Sequence, residues 1–185
     1  MTPSIWNDLD HRLSVIPRWP LAVTLHKQSV AEHVFNVERM ALRIARDWFN
    51  ISDPIYLYSV AIMAQHHDDF EALSSDLPTM VKPYFDSKRF EEDHRDLFGS
   101  LPFAAGVEAK GIVKLADMFD GLWFLAVEHS LGNQYIAPHI EHEPGRIRQF
   151  VATTWHDNPR LEGYVNFTMH NMFQERSMRH SKRGR

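Results

Sequence analysis

The sequence has 185 residues, of which 44% are hydrophobic and 24% charged, and its formal net charge is -4 at pH 7. This length and composition are typical of one globular domain with a core of its own. The absence of cysteine excludes disulfides, thiolate zinc sites and a cysteine nucleophile, so a transition metal would have to be bound by the 12 histidines and by carboxylates. The negative net charge gives no general affinity for nucleic acid.

No stretch approaches the about 18 consecutive apolar residues that a membrane span needs, and no signal-peptide pattern opens the chain. We therefore expect a soluble, cytosolic protein with no membrane partner and no nucleic-acid partner. Five basic side chains fall within residues 176–185. We interpret residues 1–175 as a single domain and residues 176–185 as a solvated basic tail, in preference to a nucleic-acid-binding arm.

The first predicted helix covers residues 4–16, where apolar side chains recur at helical spacing until Pro17 ends the pattern. Arg18 and Trp19 then lie between Pro17 and Pro20, which predicts an extended backbone outside any helix. One interpretation is a stiff loop that presents a guanidinium and an indole. The other is an indole that fills the core beside an exposed arginine.

A capping box predicts the start of the second helix, because Ser29 and Glu32 have the spacing at which each side chain bonds the other's backbone N–H. The apolar residues that follow keep a 3.6-residue period as far as Trp48, and His33 lies on their stripe. A histidine there is usually a core residue with a hydrogen-bond partner. It is also an imidazole that points inward, as a metal ligand would.

The third predicted helix begins after Asp53 and ends in Gln65-His66-His67-Asp68-Asp69. Three apolar residues share the helical spacing of His67, so its imidazole is predicted to face the core. Imidazole nitrogen and the adjacent carboxylate of Asp68 are both ligands for a divalent transition metal. A His-Asp pair by itself is more often a surface pair or a helix cap, so the interpretation depends on the residues around it.

Residues 69–83 are polar and proline-bounded, which predicts a loop with at most one helical turn. Loops beside rigid helices often carry functional sites, but Glu71, Asp76 and Lys82 are equally consistent with surface charges. The thin apolar stripe of residues 86–98 predicts a partly exposed helix.

Residues 107–127 are apolar nearly all round, which predicts a buried central helix. Asp117 lies within it and needs a partner, because an isolated buried carboxylate is costly. A metal ion and a salt bridge to a lysine or arginine remain equal alternatives.

A second group with ligand-capable atoms is His139, His142 and Glu143, which prolines flank on both sides. We interpret it as an exposed loop. Two more helices are predicted at residues 146–155 and 161–172, and no strand pattern of useful length is present. The prediction is therefore an all-α fold.

The order of a histidine, a His-Asp pair and a distant aspartate resembles that of the HD-domain metal-dependent phosphohydrolases. More narrowly, the chain is similar to bacterial 5'-deoxynucleotidases and phage dATP triphosphohydrolases over roughly residues 15–125. The residues that carry this likeness are Arg18-Trp19-Pro20, Gln28-Ser29-Val30-Ala31-Glu32-His33, His67-Asp68 with Glu71, Asp76-Leu77-Pro78-Thr79 with Lys82, and Lys114-x-Ala116-Asp117.

The resemblance implies an HD-domain helical bundle with a divalent transition metal, Co2+, Mn2+ or Zn2+. The implied metal ligands are His33, His67, Asp68 and Asp117. The resemblance also makes Asp68 a catalytic residue together with Glu71, which would orient or deprotonate the attacking water. His66 and Asp69 flank the pair, and we assign them no metal role.

The implied substrate contacts are four. Arg18 and Lys82 would hold phosphate, Asp76 would meet the 3'-hydroxyl of the sugar, and Trp19 would pack where a 2'-hydroxyl would otherwise fit. Steric exclusion of a hydroxyl discriminates only modestly unless a polar group is also left unpaired.

The implied reaction is hydrolysis of the 5'-phosphate ester of a 2'-deoxynucleotide, by a homo-oligomer in the cytoplasm of a bacterium or of a phage-infected host. A dNMP giving phosphate and a dNTP, above all dATP, giving triphosphate remain alternatives. The interval from Asp68 to Asp117 is nearer that of the phage enzymes. A non-catalytic nucleotide-binding or structural helical protein is the competing interpretation, and Glu71 argues against it because a binding module needs no water-activating carboxylate.

Overall fold

The computed structural model describes residues 8–77, 84, 88, 89, 92 and 106–183, with side chains described up to residue 173. Its helices are α1 (Asp8–Val15), α2 (Val30–Arg43), α3 (Pro54–His66), α4 (Glu71–Ser74), α5 (Val107–Ser130), α6 (Ala137–Thr154) and α7 (Pro159–Arg183). A π-helical turn, Ile44–Trp48, continues α2. No strand occurs within these ranges, so the predicted all-α fold is confirmed. The helix predicted at residues 86–98 lies largely outside the described residues.

The start of α2 has the predicted capping box. Ser29 Oγ accepts a hydrogen bond from the Glu32 backbone N–H (3.1 Å), and the Glu32 carboxylate accepts one from the Ser29 backbone N–H (2.8 Å). The buried face of the helix consists of Val30, His33, Val34, Val37 and Ala41. His33 is fully buried on this face, so the stripe aims its ring at the interior.

Helix α5 forms the centre of the bundle and packs against α2, α3, α6 and α7. Its fully buried side chains include Ile112, Leu115, Phe119, Leu122 and Leu125. Burying one side chain of this size contributes about 1.5–3 kcal/mol, so this helix supplies much of the core. At Gly111 an added Cβ would lie 2.8 Å from the Trp155 ring, which shows how closely α6 approaches α5.

Helix α6 corrects the prediction for His139, His142 and Glu143. They were expected in an exposed loop, but they lie inside Ala137–Thr154. Pro138 falls in the first turn, where its missing N–H has no intrahelical partner to lose. Pro144 lies in the interior and removes one backbone hydrogen bond. Burial of apolar side chains further along the helix outweighs that loss.

Helix α7 begins near the predicted position and continues to Arg183, so the backbone of residues 176–183 is helical. The helix is 25 residues long, but its sequence is polar. None of the helices in the described part of the chain combines the length and the apolar character that a membrane span requires.

Residues 17–29 connect α1 to α2 as a loop whose ends are paired, and we call this segment the strap. The Arg18 N–H donates to the Gln28 carbonyl (2.9 Å), and the Val30 N–H donates to the Ile16 carbonyl (2.9 Å). Closed ends of this kind are typical of Ω-loops, which are compact surface loops that are frequently functional. The pairing places Arg18 next to the first turn of α2.

The strap also corrects the expectation of an extended backbone at Trp19. Its φ is 60°, in the left-handed region. That region costs a bulky L-residue about 1–2 kcal/mol. Two contacts offset the cost: the Trp19 N–H donates to Asp76 Oδ2 (2.7 Å), and the indole stacks on Phe124 at 5.5 Å between ring centroids. Trp19 lies outside any helix, as predicted, but its backbone forms part of a turn and is not extended.

Candidate metal centre and substrate cavity

His33 is oriented by Asp120, a fully buried carboxylate on α5. His33 Nδ1 lies 2.7 Å from Asp120 Oδ2, and since a carboxylate can only accept, Nδ1 must carry the proton. The Arg18 guanidinium also contacts Nδ1 at 2.5 Å, but both groups are then donors, so that contact is not a hydrogen bond. In the neutral form of His33, which is the form that binds a metal, the lone pair is therefore on Nε2.

His67 is oriented in the same sense by the backbone. It caps the C-terminus of α3, and its Nδ1 donates to the Ala64 carbonyl (2.7 Å). Its Nε2 therefore carries a lone pair, and this atom lies 3.2 Å from His33 Nε2. Two facing lone pairs repel each other unless a cation lies between them. The two imidazoles are therefore arranged to share one positive ion.

Two carboxylates complete this cluster. Asp68 Oδ2 lies 3.3 Å from Nε2 of both histidines, and Asp117 Oδ1 lies 3.3 Å from His33 Nε2. Zinc ligands about 2.0–2.2 Å from one ion can be at most about 4.4 Å apart, so all these separations fit a shared ion. The four predicted ligands are brought together, and their donor set suits a divalent transition metal.

Asp117 makes the salt bridge to a lysine that was one of its two predicted alternatives, and it also points an oxygen at the histidines. Its Oδ1 faces the cluster, while its Oδ2 accepts from Lys114 Nζ at 2.6 Å. Burial would raise the pKa of Asp117, but His33 and Lys114 hold that pKa well below its usual range. The carboxylate is therefore ionised and available to a metal.

The cluster attracts positive charge strongly. Burial alone would lower the pKa of His33, but hydrogen bonds to Asp117, Asp120 and Asp68 raise it to about 10. Burial would raise the pKa of Asp68, but the two histidines lower it to about 2. A metal binds the neutral imidazole, so metal and proton compete for the same position.

A cavity of about 920 Å³ opens onto the cluster, a size typical of small-molecule sites. It is lined by the predicted residues Arg18, Trp19, His67, Asp68, Glu71, Asp76 and Asp117, together with side chains of α5 and α6. His33 lies behind the lining, fully buried. Lys82, predicted to hold phosphate, lies outside the described residues.

Glu71 begins α4, directly after the turn that carries Asp68. Its side chain is 1% exposed, yet it lines the cavity. Its backbone N–H donates to the Asp68 carbonyl (2.9 Å), which fixes the Glu71 backbone next to the turn that carries Asp68. A carboxylate in this position is suited to accept a proton from water.

Several cavity residues were not recognised in the sequence as parts of the site. Lys110 and Arg146 line the cavity, as do His139 and Glu143 from the segment expected to be an exposed loop. Glu143 accepts from Arg146 at 2.5 Å. These residues reach the cavity through the packing of α6 on α5, which no local pattern indicates. His142 lies on the exposed side of α6.

The helical architecture is that of the HD-domain phosphohydrolases. The chain superimposes on the cyanophage S-2L HD phosphohydrolase (DatZ), solved bound to dA and one catalytic Zn2+ ion, with a TM-score of 0.71, 18% identity and coverage of 94% of this chain and 99% of that one. An HD-domain phosphohydrolase of Listeria innocua gives 0.52, 15% identity and coverage of 89% and 94%. At these identities the likeness establishes the fold.

Sequence comparison narrows the class. Residues 8–96 match the family described as YfbR-like 5'-deoxynucleotidases. A 5'-deoxynucleotidase of Citrobacter koseri is 31% identical over 143 residues, which cover 66% of this chain and 71% of that relative. The chain belongs to the YfbR-like 5'-deoxynucleotidase family, as its motifs predicted.

Proposed function

We propose that this protein is a metal-dependent phosphohydrolase that cleaves the 5'-phosphate ester of 2'-deoxynucleotides. The observation that carries the proposal is the convergence of two imidazole Nε2 atoms, 3.2 Å apart, with two carboxylates at the wall of a cavity that Glu71 also lines. Membership of the 5'-deoxynucleotidase family supports the same reaction.

The proposed metal ligands are His33, His67, Asp68 and Asp117. A divalent metal bound there would supply Lewis-acid chemistry, lowering the pKa of bound water and polarising the phosphoryl oxygen. The phage neighbour was solved with Zn2+, so zinc is the first metal to test, followed by Co2+ and Mn2+.

Glu71 is proposed to take the proton of the attacking water, since it is a buried carboxylate next to the ligand turn. Arg18 is proposed to offset the charge of the phosphate. Its guanidinium lies 3.4 Å from Asp120 and 3.9 Å from Asp117, and its buried Nε has no hydrogen-bond partner among the described residues. One more oxygen acceptor would therefore satisfy it. Lys82 is retained as a second proposed phosphate contact on the strength of the resemblance.

Trp19 and Asp76 are proposed to read the sugar. The positions of the two residues are coupled, because the backbone N–H of Trp19 donates a hydrogen bond to Asp76 Oδ2. A carboxylate next to the indole would accept a hydrogen bond from the 3'-hydroxyl, while the indole would occupy the space of a 2'-hydroxyl. Both residues line the cavity, which supports this division of roles.

Within the proposed reaction, the family favours the 5'-monophosphate as substrate. The 5'-triphosphate is a second candidate, because Lys110, Lys114 and Arg146 line the same cavity and would offset additional phosphate charge. We also retain the proposal of a homo-oligomer, which light scattering of the purified protein would test.

The experiment is product analysis with Zn2+, Co2+ or Mn2+ and, separately, each dNMP, dNTP and rNMP. We expect phosphate from dNMPs, loss of activity with a chelator and recovery when metal is added back. Release of intact triphosphate from a dNTP would establish the second candidate. The absence of product with every substrate and metal would favour the non-catalytic interpretation.

A further inference from the structure

A buried carboxylate distant from the metal cluster holds the strap in place. Glu128 lies on α5, about three helical turns beyond Asp117, and is fully buried. Its oxygens accept hydrogen bonds from the backbone N–H groups of Leu25 (2.7 Å) and His26 (2.6 Å) and from the Asn133 side chain (2.6 Å). A buried carboxylate is retained where such donors compensate its lost hydration, so this one is committed to the strap.

Asn133 extends the same contact. It is 3% exposed, and its Nδ2 also donates to the Val23 carbonyl (2.7 Å), while its Oδ1 accepts from the Tyr135 backbone N–H (3.0 Å). Glu128 and Asn133 together therefore bind the strap backbone at Val23, Leu25 and His26. We call this pair of side chains the clasp.

Aliphatic side chains contribute little packing to this part of the strap, where the His26 ring contacts Phe124 at 6.2 Å between ring centroids. The side chains of Leu21, Val23 and Leu25 are 76%, 60% and 61% exposed. An extended loop with outward apolar side chains has little to keep it on the protein apart from its polar anchors. The clasp is therefore the main attachment of residues 23–26.

The strap contacts one face of α5 at successive levels. Arg18 lies near Asp117 at the metal end, the Trp19 indole stacks on Phe124 in the middle, and Leu25 and His26 bond to Glu128 at the far end. The pairing of Arg18 with Gln28 fixes the metal end independently. The position of Trp19 along α5 depends on the middle and far contacts and on the hydrogen bond from its backbone N–H to Asp76.

We propose that Glu128, together with Asn133, is a positioning residue for the sugar-facing wall of the cavity. Neither residue is among those that line the cavity. The clasp fixes the register of the strap on α5 and thereby holds Trp19, Pro20 and Leu21 against the substrate. The proposal rests on the proposed function, because it assigns the strap to recognition of the deoxynucleoside.

The test is Glu128→Gln, which keeps the size of the side chain but points an amide N–H₂ at backbone donors. Glu108→Gln is the matched control, because Glu108 lies in the first turn of the same helix, is exposed and is not among the residues that line the cavity. Its carboxylate accepts a hydrogen bond from the Tyr56 hydroxyl (3.2 Å). Kinetics would be measured on a dNMP, on the matching rNMP and on p-nitrophenyl phosphate, which has no sugar or base, and metal content would be determined for each variant.

For Glu128→Gln we expect KM for the dNMP to rise about tenfold, as for the loss of one or two hydrogen bonds. Discrimination against the rNMP should fall, while kcat for p-nitrophenyl phosphate and the metal content should match those of Glu108→Gln. Amide hydrogen exchange at Leu25 and His26 should become faster. If Glu128→Gln does not fold, Asn133→Ala tests the same contact with both backbone bonds to Glu128 retained.

Two results would overturn the proposal. One is unchanged KM and sugar discrimination despite faster exchange of the strap amides; the other is an equal loss on all substrates together with loss of metal, as expected of a purely structural role. If the wild-type protein hydrolyses no deoxynucleotide, the proposed function fails instead. In that case, amide hydrogen exchange at Leu25 and His26 that stays slow in Glu128→Gln would show separately that the clasp does not hold the strap.

Discussion

The cavity has two walls that are built in different ways. The metal wall consists of side chains on α2, on α5 and at the end of α3. His33 and His67 are each oriented by a hydrogen bond that they donate to a neighbouring oxygen, and Asp117 by one that it accepts from Lys114. The strap wall is a loop with exposed apolar side chains and a left-handed tryptophan, held by groups from other elements. We infer that helices fix the reaction chemistry, whereas the strap fixes substrate choice.

The largest expected effect comes from breaking the metal wall. Asp117→Ala should remove the bound metal and lower kcat by at least about a thousandfold, since a catalytic metal contributes several kcal/mol. Metal content by mass spectrometry and product release would be measured together. Wild-type activity in this variant would remove Asp117 from the proposed site, and His67→Ala should behave in the same way.

Glu71→Gln should separate catalysis from metal binding. Removing a general base typically lowers the rate by about 10²–10⁴-fold, while the four ligands and their orienting bonds remain in place. We expect normal metal content with a much lower kcat. A variant that lost metal and activity together would instead make Glu71 part of the metal wall.

Asp120→Asn should weaken the metal wall without removing a ligand. The amide can present N–H₂ to His33 Nδ1 and disturb its tautomer, and such outer-shell changes typically cost about 10–100-fold in metal affinity. Competition with a chelator would measure this. Asp69→Asn is a matched control, because Asp69 contacts His66 (2.6 Å) in a similar pair beside the cluster. Equal affinities in the two variants would contradict the role of Asp120.

The smallest effect is expected at the strap wall. Trp19→Ala should admit ribonucleotides, and the ratio of kcat/KM between dNMP and rNMP should fall by no more than about a hundredfold, the usual limit for steric exclusion. Hydrolysis of p-nitrophenyl phosphate should change little. If sugar selectivity is unaltered, Trp19 is not the group that excludes the 2'-hydroxyl.

Prediction from the sequence worked best where the signal is local. The capping box of Ser29 and Glu32 and the apolar stripe of α2 depend on neighbours three or four residues apart, so they fixed the inward direction of His33. The apolar surroundings of Asp117 marked a buried helix in the same way. The order of a histidine, a His-Asp pair and a distant aspartate then pointed to His67 and Asp68 as the remaining proposed ligands.

The partners of buried polar groups could not be predicted, because they lie far away in the chain. Asp120 and Glu128 sit on the same apolar helix as Asp117, and the cost of a buried carboxylate applies to them equally. The sequence therefore did indicate that both carboxylates need partners. Their partners, His33 and the backbone at Leu25, are brought to them only by folding. The prediction of a loop around His139 was wrong for the opposite reason. Its prolines are a local loop signal, but packing of α6 on α5 outweighed that signal.

Because Asp117, Phe124 and Glu128 lie on one helix, their spacing along α5 fixes the distance between the metal cluster and the contacts of the strap. An α-helix turns about 100° per residue, so a one-residue insertion between Asp120 and Phe124 would leave the metal end in place and swing Phe124 and Glu128 away from the strap. Point substitutions can change the side chains along α5, but they do not change the distances between their positions on the helix. A change of length in α6, or in the strap after Trp19, would leave this spacing along α5 unchanged.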